Sequence, residues 1–252
     1  MVSEVICKKS LQNLINCHLN KPAVIAGTGP SLRHLDPVDT SSFVLIAVNA
    51  AINKFQNAQY FLSADPRIVL YNIWQNLKLI RSFNFLARPA GYDDWSRYDK
   101  YTGENYFKGI EDRSVHVVSR ADSSNLVFDS KDTDLAFGHS SAFCACHLAY
   151  LMGCSPIILA GCDCGPEDGK YYYYDFPGQE QYALEFTDEK YRELVETPNT
   201  PILVTFVSYW NLIAKQNPGV RIVNCGNCNI NGIPKMEIKD VLKILWLVTK
   251  GH

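Results

Sequence analysis

Ala23-Val24-Ile25-Ala26-Gly27-Thr28-Gly29-Pro30-Ser31-Leu32 decides the fold class. Four apolar residues run into a glycine-rich turn, and a buried strand followed by such a turn opens an α/β unit. Two more apolar runs repeat the pattern: Phe43 to Val48 ends at Asn49, and Ala58 to Leu62 ends at Ser63-Ala64-Asp65-Pro66. In a parallel sheet these polar endings collect on one edge, where open α/β sheets gather their ligand groups.

Working outward, Val69, Leu70, Ile73, Trp74, Leu77 and Ile80 recur at helical spacing and predict a crossover helix over Ile68 to Ile80. Phe83 to Leu86 and Val115 to Val118 read as short strands, with a polar, aromatic loop from Gly91 to Tyr106 between them. Ser141 to Met152 reads as an apolar helix that ends at Gly153 and leads into a strand over Pro156 to Ala160, closed by Gly161-Cys162-Asp163-Cys164-Gly165. Ile202 to Lys215 predicts a helix, Gly219 to Val223 a last strand, and Lys239 to Val248 a terminal helix. Met1 to Asn20 reads as an amphipathic lead-in helix. Gly165 to Asn199 is polar and aromatic and predicts a lid over the sheet's carboxyl edge. The expectation is a single nucleotide-binding α/β domain over residues 1–252, with a Rossmann-like, mainly parallel sheet, helices on both faces and a lid-like insertion at 165–200.

Composition limits the partners. The 252 residues are 47% hydrophobic and 20% charged, which describes a folded chain. Twenty-four Lys and Arg against 26 Asp and Glu leave a net charge of −2, so no surplus draws the protein to nucleic acid. Charged residues break the N-terminal apolar pattern, which argues against a secretory signal, and Val241 to Val248, interrupted by Lys243, falls far short of the roughly 20 residues of a membrane span. Nine cysteines, an odd number with no export signal, read as reduced thiols in a cytoplasmic protein. Peripheral membrane contact and homo-oligomer formation stay open.

The candidate site residues follow from the strand endings. Gly27, Thr28, Gly29 and Ser31 can bring backbone amides and a helix start to a phosphate, although the motif is neither a dinucleotide fingerprint nor a Walker loop, and a ligand-free turn explains it too. Asn49 suits a ribose, base or sugar; Asp65 suits a hydroxyl or a divalent metal, or simply starts the turn at Pro66. Ser140 and Ser141 offer hydroxyls to a donor or cap the helix that follows. His139 is the best-placed histidine for proton transfer, against a structural role, and Asp163 is a ligand-site carboxylate or an edge cap. Tyr171 to Tyr174, Tyr174 among them, supply phenols for a leaving phosphate, though at least half of that run should pack into the domain. Cys144 and Cys146 would point to different helix faces, and only Cys225 and Cys228 have ordinary C-x-x-C spacing, so no metal site is expected.

Val24-Ile25-Ala26-Gly27-Thr28-Gly29-Pro30-Ser31-Leu32, His139-Ser140-Ser141, and Gly153 ahead of Ile157 to Asp163 resemble the bacterial lipooligosaccharide sialyltransferases, in order and spacing, over Lys21 to Tyr174. That resemblance implies a CMP-activated sialic acid donor, no metal or other cofactor, and transfer with inversion to a glycan or small-molecule acceptor. It places Gly27, Thr28 and Ser31 at the nucleotide phosphate, Asn49 and Asp65 near nucleotide and sugar, and Ser141 at the donor carboxylate. The chain departs from that pattern at Gly165, where the family has the first of two tyrosines, and near Thr197-Pro198-Asn199-Thr200, where the family's lid histidine would fall. Any proton acceptor must then be His139, Asp163, Asp175 or another carboxylate.

Pro218-Gly219-Val220-Arg221-Ile222-Val223-Asn224-Cys225 and Ile230-Asn231-Gly232-Ile233, with the shared Gly-x-Gly-Pro-Ser-Leu opening, resemble the family of 6-hydroxymethylpterin diphosphokinase and the flagellin-glycosylation factors. Three functions therefore compete. The first is sugar transfer from a nucleotide-activated donor. The second is ATP- and Mg²⁺-dependent pyrophosphoryl transfer with the metal on Asp65 and Asp163, and the third is a nucleotide-binding module without catalysis.

Overall fold

The computed structural model describes residues 11–35, 41–64, 83–89, 115–120, 126–129, 134–165, 167, 172–174 and 201–250. Eight strands form one sheet: β1 (Ala23–Ala26), β2 (Val44–Val48), β3 (Tyr60–Ser63), β4 (Phe83–Pro89), β5 (Val115–Arg120), β6 (Asp134–Leu135), β7 (Ile157–Ala160) and β8 (Ile222–Asn224). Their order is β6-β5-β4-β3-β2-β1-β7-β8, and every pairing is parallel. The chain starts at β1, steps outward to β6, then returns to lay β7 against the other side of β1. Strand order thus reverses between β1 and β7, the place where open α/β sheets form a ligand crevice.

The alternation of side chains sorts the apolar runs onto two faces. Ile25, Ile46, Val48, Leu62 and Leu159 lie in one buried cluster with Phe143 and Leu148 of α1 (Ser141–Leu151) and Trp210 and Ile213 of α2 (Pro201–Gln216). Val24, Leu45, Ala47, Phe61 and Ile158 lie in the other with Leu32, Leu35, Ile52, Phe55 and Val241, the last from α3 (Ile238–Lys250). Both faces are covered, which is why these strands read as continuous apolar runs and not as alternating ones. The ring of Trp210 meets that of Phe143 edge-on at 4.5 Å and fixes α2 on α1.

Several local expectations change. The described part of the lead-in segment is one 3-10 turn, Leu11–Leu14, not a helix. Beyond it Asn16 and Asn20 take positive φ, and the amides of Asn16, His18 and Asn20 donate to the carbonyls of Leu151, Met152 and Gly153. The segment is spent on satisfying the C-terminal carbonyls of α1, which a continuous helix of its own could not do. After the glycine turn comes a 3-10 turn, Pro30–His34, capped by Gly29 with no side-chain bond, so Ser31 sits inside the turn and is not its cap. A second 3-10 turn, Asn49–Asn53, follows β2. The crossover helix at 68–80, the loop at 91–106 and most of the 165–200 insertion lie outside the described residues.

Candidate functional site

Five strand ends and one helix start meet at the carboxyl edge. The Gly27 amide donates to the Ala160 carbonyl at 2.7 Å and the Gly29 amide to the Gly161 carbonyl at 2.8 Å, which laces the turn after β1 to the turn after β7. A Cβ at Gly27 would lie 2.4 Å from the Gly161 oxygen, and one at Gly29 would lie 2.3 Å from an Asp163 carboxylate oxygen. Both glycines are therefore demanded by the close approach of protein backbone and carboxylate. Their amides are committed to the Ala160 and Gly161 carbonyls, which leaves the rest of the loop to meet any ligand.

Asp163 is buried. One carboxylate oxygen accepts the Ser31 amide at 2.7 Å and the other accepts the Asn227 amide at 2.7 Å, so it anchors the turn after β1 and the loop after β8 together. Charge-assisted bonds to two amides suit a desolvated carboxylate. Asn224 shapes the same loop from within: its side-chain oxygen accepts the Gly226 amide at 2.9 Å and its amide group donates to the Cys228 carbonyl at 2.7 Å.

Ser31 differs from these neighbours. It is buried, at 8% exposure, and its hydroxyl has no hydrogen-bond partner among the described residues. An unsatisfied buried hydroxyl is uncommon in folded proteins and asks for an explanation. Nearby, Lys54 donates to the carbonyls of Leu32 at 2.9 Å and Arg33 at 3.1 Å, closing the end of the 3-10 turn. Arg33 pairs with Glu167 at 2.6 Å, and the guanidinium's hydrogen bond holds the Glu167 carboxyl below its usual range.

The edge continues across β2 and β3. Asn49, at φ 51°, ends β2 in the left-handed region that asparagine tolerates better than most residues, and its side-chain oxygen accepts the Ser63 hydroxyl at 2.6 Å. The Ala64 amide donates to the Ser141 hydroxyl oxygen at 2.9 Å, which ties the start of α1 to the end of β3. Ser140 caps α1, its hydroxyl oxygen accepting the Ala142 amide at 3.2 Å. Gly27, Thr28, Gly29, Ser31, Asn49, Ser140, Ser141 and Asp163 thus occupy one edge of the sheet, whereas Asp65 lies outside the described residues. His139 precedes this cap at φ 64°, exposed, with its ring against Phe137 at 5.7 Å and Tyr209 at 5.8 Å.

Of the tyrosine run, Tyr173 docks on the edge. Its amide donates to the Thr28 carbonyl at 3.1 Å and its phenol to the Ala50 carbonyl at 2.9 Å, and burial pushes the phenol up to about 12. Tyr174 is half-buried and meets the Tyr173 ring at 4.8 Å. Ser63, Lys54 and Asn227 are neighbours of the candidate site that sequence reading missed, and Tyr173 is a member of the tyrosine run that it did not single out. Each makes its bond to a residue distant in the chain, so no local pattern marks it. Among the described residues no group of three or more His, Cys, Asp or Glu could hold a metal ion, and no helix is long and apolar enough to cross a membrane.

A doubly covered parallel sheet with polar strand ends gathered at the β1/β7 reversal defines a Rossmann-like α/β protein. The chain belongs to the 6-hydroxymethylpterin diphosphokinase MptE-like family, whose sequence model matches residues 3–169. That match bears out the second resemblance through the glycine-turn opening and β7, while residues 218–233 lie beyond it. No curated protein matches the chain by sequence. Among solved structures, the MAf glycosyltransferase from Magnetospirillum magneticum AMB-1 superposes with a TM-score of 0.51 at 12% identity, over 98% of this chain and 41% of that one. The chain therefore spans less than half the length of that protein, and the likeness is one of fold.

Proposed function

We propose that the protein is a transferase that takes a nucleotide-activated sugar, of the CMP-sialic acid type, at the β1/β7 edge and passes the sugar to an acceptor hydroxyl. The observation that carries this reading is the buried Ser31 hydroxyl beside the glycine turn, which has no partner among the described residues. A phosphate oxygen arriving at the strand-order reversal would supply the missing partner. The fold shared with a protein described as a glycosyltransferase supports the same reading. In this scheme Thr28 and Ser31 face the donor phosphate, Asn49 and Asp65 the nucleotide and sugar, and Ser140 and Ser141 the donor carboxylate. Tyr174 assists the leaving phosphate. Asp163 acts by position, because both its oxygens already accept amides, and proton acceptance falls to His139.

Family membership favours a second reading, pyrophosphoryl transfer from ATP with Mg²⁺. A thermal-shift panel of CMP, CMP-sialic acid, UDP-sugars and ATP, each with and without Mg²⁺, separates the two. A bound ligand stabilises by mass action, about 2.7 kcal/mol at a hundred times its Kd. The expected result is a metal-independent rise in Tm with CMP-sialic acid. A rise with ATP only when Mg²⁺ is present overturns sugar transfer in favour of the second reading, and no rise with any nucleotide overturns both.

A further inference from the structure

Four cysteines stand around the Asp163 anchor: Cys162 and Cys164 after β7, Cys225 and Cys228 after β8. They do not work as two local pairs. Cys162 is buried, with its sulfur 3.1 Å from where a Cβ on Gly27 would lie, so its thiol is sealed beneath the glycine turn. Cys225 packs against the α3 face of the sheet, and burial pushes its thiol up to about 12. Cys164 and Cys228 instead both border the opposite cluster, and both are half-buried. Both thiols donate to one acceptor, the Cys162 carbonyl, at 3.5 and 3.4 Å.

We propose that Cys164 and Cys228 are a reversible redox site, forming a disulfide that latches the turn after β7 to the loop after β8 and takes small-molecule disulfides as its oxidant. Thiols that share one acceptor oxygen need only local movement to reach the S–S bond length of about 2.05 Å. Proximity to Cys164 lowers the Cys228 thiol, while proximity to Cys228 and burial raise Cys164, so Cys228 is the attacking thiolate and Cys164 the resolving one. In the first step the Cys228 thiolate attacks one sulfur of a disulfide RSSR, breaking its S–S bond and expelling RS⁻, which is protonated to RSH. In the second, Cys164 loses its proton and attacks the Cys228 sulfur, forming the Cys164–Cys228 bond and expelling the second RS⁻ as RSH. Two protein thiols are oxidised and one RSSR is reduced to two RSH.

The latch would act on the anchor directly. Cys164 follows Asp163, and Cys228 follows Asn227, whose amide Asp163 accepts. Oxidation fixes the two segments that hold the carboxylate and, through the Ser31 amide, the glycine turn. Reversible pairs of this kind are the usual form of disulfide in reducing compartments.

The test equilibrates the full chain with graded ratios of glutathione to glutathione disulfide, quenches with acid, alkylates free thiols and maps the peptides. Expected are a Cys164–Cys228 cross-linked peptide that disappears with dithiothreitol and, in the oxidised protein, a Tm higher by about 5–10 °C from the restricted unfolded chain. Cys164→Ser should accumulate glutathione on Cys228, and Cys228→Ser should leave Cys164 free to alkylate. Persistent alkylation of both cysteines at every ratio, a cross-link between other cysteines, or glutathione retained on wild-type Cys228 would each overturn the proposal. Should either variant fail to fold, the wild-type peptide map alone decides.

Discussion

Two regions of the molecule use buried polar side chains to hold loops, and they finish the task differently. Beneath α1, His147 accepts the Ala136 amide at Nδ1, 2.9 Å away, and its Nε2 lies 3.4 Å from the Asp129 carbonyl, with the ring stacked on Phe128 at 4.7 Å. Asn217, at the end of α2, accepts the Phe128 amide at 2.6 Å and donates to the carbonyls of Leu126 and Ile213 at 2.9 and 2.8 Å. Both side chains there are saturated. At the β1/β7 edge Asp163 is equally saturated, yet Ser31, whose amide it holds, keeps a hydroxyl without a partner among the described residues. The supporting region is saturated, whereas the β1/β7 edge keeps an unmet Ser31 hydroxyl where the proposed donor phosphate would bind.

Removing the anchor should break that contrast most severely. Asp163→Ala strands the Ser31 and Asn227 amides together, and a loss of roughly 3–5 kcal/mol is expected in chemical denaturation. Asp163→Asn retains one accepting oxygen and should lose about half as much.

Acid should strike the saturated region next. Burial holds the His147 imidazole down at about 4 against an ordinary 6.5, so between those values the unfolded chain binds the extra proton. Stability is then fully present above pH 6.5 and falls as pH drops toward 4, by about 3 kcal/mol from this group. His147→Asn places an amide oxygen near Nδ1, and denaturation curves across that range should lose this part of their slope.

Asn217→Ala removes three hydrogen bonds and leaves the Phe128 amide buried, at an expected cost of about 2 kcal/mol in the same assay. Ser31→Ala should hardly move stability, within about 0.5 kcal/mol, because no internal bond is lost. Its effect belongs to the ligand: calorimetry should show CMP-sugar affinity lowered about tenfold, or 1.4 kcal/mol. A stability loss equal to that of Asn217→Ala, with affinity unchanged, would erase the distinction between the two regions.

The sheet was legible because a strand buried on both faces must be apolar throughout, and β1, β2, β3 and β7 each end at a glycine or a polar residue. The short elements were not. Pro30-Ser31-Leu32-Arg33-His34 has no helical period to read, and Asp134-Leu135 is too brief to show alternation. The candidate residues were legible as neighbours on one edge more than as a set of contacts. The glycines suggested a phosphate cradle, while the structure shows them admitting the Gly161 carbonyl and the Asp163 carboxylate. Cys225 and Cys228 have C-x-x-C spacing, but they fall on opposite faces of the sheet. In each case the deciding neighbour is remote: Asp163 reaches an amide 132 residues away.

That remoteness has a kinetic side. β1 is the first strand of the sheet to leave the ribosome, yet one of its two edges stays bare until β7 arrives to pair Ala23 with Ile157 and Ala26 with Ala160. The glycine turn likewise waits for the Ala160 and Gly161 carbonyls, and the segment at Asn16 to Asn20 waits for those of Leu151 to Gly153. Contacts so far apart in sequence form slowly, because loop-closure entropy is lost before they can compensate it. During synthesis the nascent chain therefore carries an unpaired apolar strand through most of its length, and the β1/β7 edge is among the last parts of this protein to exist.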